Sequence, residues 1–150
     1  MELTKSYYFK IILISLLSLF FACDAPDTSV YLGNQVPKKY MKEIRDLGLL
    51  EENETIKYFY SDALFDIKEG LYFVTNLKLV AYCSEWEEPE TIVPFNEITF
   101  LNVVYNESFY EDSFIMLETE YGLELEFPVS SEKGRDKDFF NYLLSKSKTK

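Results

Sequence analysis

The chain has 150 residues, 47% hydrophobic and 17% aromatic, with 15 basic residues against 26 acidic ones and a net charge of −11. The apolar content excludes intrinsic disorder. The acidity excludes nucleic-acid binding, which needs a basic stripe to displace counterions, and the absence of histidine removes the commonest general base and zinc ligand.

Lys5 and Lys10 precede an apolar run from Ile11 to Ala22, interrupted only by Ser15 and Ser18, and Cys23 follows directly. About a dozen apolar residues make a signal-peptide core and fall short of the roughly 20 needed to span a bilayer. The pattern resembles a bacterial lipoprotein signal, although Phe20 stands where such signals usually have leucine and Phe21 is bulky for its place. The resemblance implies that residues 1–22 are removed and that Cys23 becomes a lipidated first residue carrying two or three acyl chains of the palmitate kind. Several chains hold a protein at a membrane where one chain binds marginally. The expected location is therefore the bacterial cell envelope, anchored to the inner or outer membrane, with Asp24 leaving the choice open. A plain secretory signal with an incidental cysteine, and an uncleaved anchor with Tyr7, Tyr8 and Phe9 at the interface, are the alternatives. Cleavage would leave 128 residues, 13 basic and 25 acidic, for a net charge of −12. That is one domain's worth of chain. With Cys23 lipidated, Cys83 has no disulfide partner, and no cysteine cluster exists to hold a metal.

Residues 23–36 read as a tether, with prolines, one glycine and small polar residues in place of apolar periodicity. Residues 37–150 form the folded part. From Pro37 to Gly48, Tyr40, Met41, Ile44 and Leu47 recur at helical spacing, with Pro37 suited to the first turn and Gly48 to the C-terminal cap. From Thr55 to Val129 the period becomes two. Ile56, Tyr58 and Tyr60 alternate with Lys57 and Phe59, Leu71–Val74 is a continuous β-forming run, and Leu77, Leu79, Ala81 and Cys83 share one face. Shorter candidates are Thr91–Pro94, Phe100–Tyr105 and Phe114–Thr119. A tight turn at Tyr121–Gly122 then leads into Leu123, Leu125, Phe127 and Val129. About seven short antiparallel strands without intervening helices predict a mainly β sandwich or barrel. A helical stripe of Phe139, Phe140, Leu143 and Leu144 closes the chain, with Asp136 and Asp138 at its start and lysines at its end complementing the helix dipole. Phe140 is expected beneath the β layer.

Glu54–Tyr58, Lys68–Asn76, Leu77–Tyr82 and Ile92–Ile98 resemble phrases of the bacterial PH-like (pleckstrin-homology and GRAM) families, over about residues 54–147. The resemblance implies a barrel of about seven antiparallel strands capped by a C-terminal helix, here preceded by a short N-terminal helix. It implies a binding or scaffolding module and carries no catalytic motif, since fold alone does not assign function. Phosphoinositide-binding members use basic residues in the first hairpin loop. Here the loop Ser61–Glu69 holds three acids and one lysine, which repel a phosphorylated headgroup.

Glu85, Trp86, Glu87 and Glu88 form an acidic loop in which Trp86 could anchor a basic partner. The plainer reading is a solvated hairpin loop, and calcium is disfavoured because the stretch lacks a tight glycine turn. Phe109 and Tyr110, among Glu107, Glu111 and Asp112, either contact a partner or fold back as a lid. Cys83 reads as a small buried hydrophobe, and Ser130 and Ser131 read as helix caps. No pairing of groups supports catalysis, so the sequence is read as a non-enzyme without cofactor or metal. The expected function is a membrane-anchored module for protein–protein interaction or scaffolding, with a basic protein partner. The alternative is a carrier of a small apolar ligand inside the barrel.

Overall fold

The segment from Leu71 to Tyr82 is apolar on both alternating faces, so it needs cover on two sides. The computed structural model, which describes residues 28–108 and 111–148, supplies both covers. Five antiparallel strands form one sheet in sequence order: β1 (Tyr31–Leu32), β2 (Ile56–Tyr60), β3 (Leu71–Thr75), β4 (Lys78–Tyr82) and β5 (Glu90–Pro94). Three more form a second sheet: β6 (Ile98–Val104), β7 (Ser113–Thr119) and β8 (Glu124–Val129). Helix α1 (Lys38–Asp46) lies outside the larger sheet, and helix α2 (Arg135–Lys146) follows the smaller one.

The main core lies between the sheets. Tyr60, Tyr72, Val74, Leu79, Ala81 and Val93 face Ile115, Leu117, Phe127 and Val129, and Phe139 and Leu143 of α2 fill the remaining gap. Alternation sends the other half of the larger sheet outward. There Ile56, Phe59, Leu71, Phe73 and Val80 pack against Tyr40 and Ile44 of α1, with Val36, Leu49 and Ile67 completing a second core.

The sheets do not close into the expected barrel. A 3-10 turn at Phe95–Glu97 carries the chain from β5 to β6, and no ladder joins the two sheets. At the opposite edge β1 pairs with β2, Tyr31 opposite Phe59. This occupies the edge that closure would have used, so the gap is filled by side chains.

The strand β1 is also a correction to the expected tether. Residues 30–36 belong to the fold: Val30 is buried, and a 3-10 turn at Gly33–Gln35 rests on β2. A Cβ at Gly33 would lie 1.8 Å from the Ile56 carbonyl oxygen, so this close approach requires glycine. Arg135 completes the attachment by donating from Nη1 to the Val30 carbonyl at 2.6 Å and to Gln35 Oε1 at 2.9 Å. The expected strand Phe100–Tyr105 instead runs from Ile98 to Val104. Leu77, expected to share the buried face of Leu79, is exposed in the β3–β4 turn.

Phe140 is the other correction. Phe139 and Leu143 are fully buried, whereas Phe140 and Leu144 sit one position around the helix, at the margin and in solvent. The ring of Phe140 meets Tyr105 edge-on at 6.2 Å. Ser130 and Ser131 do not cap α2, whose N-cap is Gly134 in the left-handed conformation. Ser130 Oγ accepts from the Glu132 N–H in the preceding turn.

A buried ion pair closes the far end of the larger sheet. Lys78 Nζ lies 3.0 Å from Glu54 Oε2, with side-chain exposures of 11% and 1%. Burial alone would raise the Glu54 pKa. The Glu51 N–H, the Lys78 ammonium and the Thr75 hydroxyl outweigh it and hold the carboxyl below its ordinary value. A glutamate with a depressed folded pKa stabilises the fold above its unfolded pKa, and that contribution is lost as pH falls through the folded value.

Two stability predictions follow from this packing. Lys78→Met, which strands the Glu54 charge, should cost about 3–5 kcal/mol at pH 7. The deficit against wild type should narrow as pH falls past about 4.3, the ordinary glutamate value; urea titrations at several pH values measure both. Phe139→Ala should cost about 3–5 kcal/mol and Phe140→Ala about 1 kcal/mol, and equal losses in the same titration would refute the assignment of the helix face.

Candidate interaction end of the sandwich

Four connections meet at one end of the sandwich: residues 61–70, residues 83–89, residues 105–108 with 111–112, and residues 130–134. Hydrogen bonds join them. The Ser84 N–H donates to the Lys68 carbonyl at 2.7 Å, and the Cys83 thiol reaches the Glu69 carbonyl at 2.9 Å. Tyr60, at the end of β2, donates to Asp112 Oδ2 at 2.6 Å. The Ser131 hydroxyl reaches the carbonyls of Ser108 and Glu111. These four segments hold ten carboxylates against two lysines. Both lysines are ion-paired locally, Lys68 with Asp66 at 3.1 Å and Lys133 with Glu132 at 3.4 Å. The end is therefore strongly negative.

Its electrostatics show in the two tyrosines beneath it. Burial, then the hydrogen bond and charge of Asp112, push the Tyr60 hydroxyl well above its ordinary value. Burial and the Asp62 charge do the same for Tyr72. Desolvation pushes the Asp62 carboxyl up, with the neighbouring Asp112 charge adding to it. A cation arriving here would meet carboxylates that already crowd one another.

The loop 61–70 is a built projection. The Ser61 hydroxyl donates to the Gly70 carbonyl at 2.6 Å and closes its base. Asp66 Oδ1 accepts from the Lys68 N–H, and Ile67 is buried in the second core. Between these fixed points Leu64 and Phe65 stand outward, 74% and 76% exposed. In the sequence this loop stands out by its charges, three acids and one lysine. Its signal was two adjacent apolar residues in a polar loop, outside any alternating strand pattern.

The sequence candidates divide. Glu85, Glu87 and Glu88 are exposed at this end. Trp86 is half-buried, and its side chain packs against the main core; a turn with its N–H donating to the Cys83 carbonyl at 3.1 Å holds it there. Cys83 is buried. Phe109 and Tyr110 lie outside the described residues, as does Cys23 with the whole signal segment. A cleft of about 450 Å³ opens between Thr28, Tyr60, Glu111, Asp112 and Ser130–Glu132. Thr28, where the described chain starts, therefore lies at the acidic end.

The interior is filled. Tyr60 stacks on Tyr72 at 6.5 Å, Tyr72 on Phe127 at 5.3 Å, and Phe127 meets Phe139 at 6.0 Å. Four clefts of about 310 to 510 Å³ among the described residues have neither Phe127, Phe139 nor Leu143 in their walls.

No family model matches the sequence, and no curated protein matches it. Among solved structures, the chain is similar to a DUF1696 family protein with a pleckstrin-homology domain from Shewanella loihica PV-4. The TM-score is 0.50 at 16% identity, over 79% of this chain and 97% of that one. At this identity the likeness concerns the fold. The class is a mainly β, PH-like fold with two antiparallel sheets and a C-terminal helix.

Tyr60→Phe, which removes the donor to Asp112, should cost about 1–2 kcal/mol. It should also speed amide exchange at 111–113 while leaving β3 and β4 protected; unchanged exchange there would show that the bond does not hold the loop.

Proposed function

We propose that the protein is a lipid-anchored interaction module of the cell envelope, presenting the acidic end of its PH-like domain to a basic protein segment close to the membrane. The observation that carries this reading is the joining of four loops into one negative end with an apolar tip at Leu64–Phe65. A partner with Lys or Arg beside an apolar residue complements both features, the charges steering approach and the apolar contact holding it. The polar cleft beside Thr28 has the carboxylates of Glu111, Asp112 and Glu132 in its wall, a suitable environment for a guanidinium or ammonium group.

The anchor reading adds orientation. Four residues lie between Cys23 and Thr28, and the five Cα–Cα steps this makes span at most about 18 Å. With Cys23 lipidated, the acidic end is thus held near the bilayer. Anionic headgroups are repelled from such a surface, which favours a polypeptide as the occupant. The aromatic contacts from Tyr60 through Tyr72 and Phe127 to Phe139 occupy space that a carrier of a small apolar ligand would need, which favours the interaction reading.

Two variants of the full chain test the reading in the native envelope. Cys23→Ala should move the protein to the soluble fraction, and retention at the membrane sinks the anchor. A Leu64→Ser, Phe65→Ser double variant should lose co-purifying partner after crosslinking, while its stability stays within about 0.5 kcal/mol of wild type. Unchanged partner recovery from a folded variant sinks the role of this end.

A further inference from the structure

The two sheets differ in how their outer faces are finished. The outer face of the larger sheet is covered by α1. The outer face of β6–β8 carries no helix or strand among the described residues, although half of it is apolar. Side chains at 113, 115, 117 and 119 of β7 point inward, so Phe114, Met116 and Glu118 point out. The register then sets three outer rows across the strands. Val104, Phe114 and Pro128 form one; Asn102, Met116 and Glu126 the next; Phe100, Glu118 and Glu124 the third. Val104, Phe114 and Phe100 are 57%, 42% and 45% exposed. A cleft of about 370 Å³ lies among Phe100, Met116 and the three glutamates. No lysine or arginine occupies any of the nine positions.

We propose that this face is a docking surface for a basic amphipathic helix of a partner protein. Charge is the first argument: three carboxylates border the apolar rows with no cation among them, so the occupant carries Lys or Arg beside its apolar stripe. Shape is the second. Three strands about 4.8 Å apart make a face about 10 Å wide, which matches the diameter of a helix. The molecule itself supplies the third. On its other sheet an equivalent face is filled by α1, which turns Tyr40 and Ile44 inward and leaves Lys38, Lys39, Lys42 and Arg45 on the surface or its margin. A second copy of this chain is a poor occupant, because apposing two such faces brings Glu118, Glu124 and Glu126 against their own kind. An anionic bilayer meets the same repulsion. The surface is distinct from the acidic loop end and does not depend on the lipid anchor.

Methionine methyl resonances give the test, because Met116 lies on this face and Met41 lies on α1. The full chain, ¹³C-methyl-labelled at methionine and held in zwitterionic nanodiscs, is titrated with an 18-residue Leu/Lys peptide of helical amphipathic spacing. A Leu/Glu peptide of the same spacing and a scrambled Leu/Lys peptide serve as controls. The expected result is a saturable shift of the Met116 methyl with the Leu/Lys helix alone, Met41 staying still. Glu124→Lys with Glu126→Lys should weaken it at least tenfold, and Phe114→Ser should do the same, with the Met41 resonance reporting that each variant is folded. An unmoved Met116 methyl overturns the proposal, as does an equal response to the Leu/Glu or scrambled peptide. A Met116 shift that grows with protein concentration without peptide assigns the face to a second copy. Protection of Met116 from a soluble paramagnetic agent by nanodisc lipid alone assigns it to the membrane. Either of these outcomes also overturns the proposal.

Discussion

The structure depends on the burial of β3 and β4 on both faces. Leu71, Phe73 and Val80 point one way and Tyr72, Val74, Leu79 and Ala81 the other, and all are shielded from water. A strand pair of this kind cannot form the solvated side of a two-layer sandwich, because it would expose several large side chains at about 25 cal/mol per Å². It needs a layer on each side. The smaller sheet and α2 supply one, and residues 30–50 supply the other through β1, the Gly33 turn and α1. The three-layer arrangement follows from this constraint, and it draws residues 30–36 into the fold.

The placement of residues 30–36 bears on the proposed function. An approach through a long flexible tether would let the domain tumble at a membrane and present any face. Because Val30 is buried and β1 is paired, Thr28 is held beside Glu132 and the acidic cleft. Under the proposed lipid anchor at Cys23, the end richest in carboxylates is the end held toward the membrane. In a PH-like fold of the phosphoinositide-binding sort this arrangement would be self-defeating with acidic loops; with a basic polypeptide as the partner it is complementary.

Much of the fold was legible in the residues. The switch from helical to twofold period at Thr55, the Tyr121–Gly122 turn with Gly122 at φ 80°, and the return to helical spacing at Phe139 each reflect local geometry. The departures from the local pattern share a physical origin. Residues 30–36 look like a tether because a two-residue strand leaves no periodic trace, and what holds it, Arg135, lies a hundred residues away. Phe139 and Phe140 are equivalent in an apolar stripe, and only the placement of α2 against Tyr58 and Phe127 chooses between them. Trp86 stands among acids in sequence, yet the turn at Cys83 folds its ring onto the core. Glu54 reads as a loop acid until Lys78 is brought to it across the β3–β4 turn.

By itself the sequence determined the element types, the charge, the absence of imidazole chemistry and the apolar pattern of the strands. These are properties of single residues and of short-range spacing. The tertiary structure decided which loops share an end, that residues 30–36 join the fold, which sheet face is covered, and that the sheets stay open to each other. Those outcomes depend on contacts between residues far apart in the chain, and local propensity carries no information about which distant partner a side chain will meet.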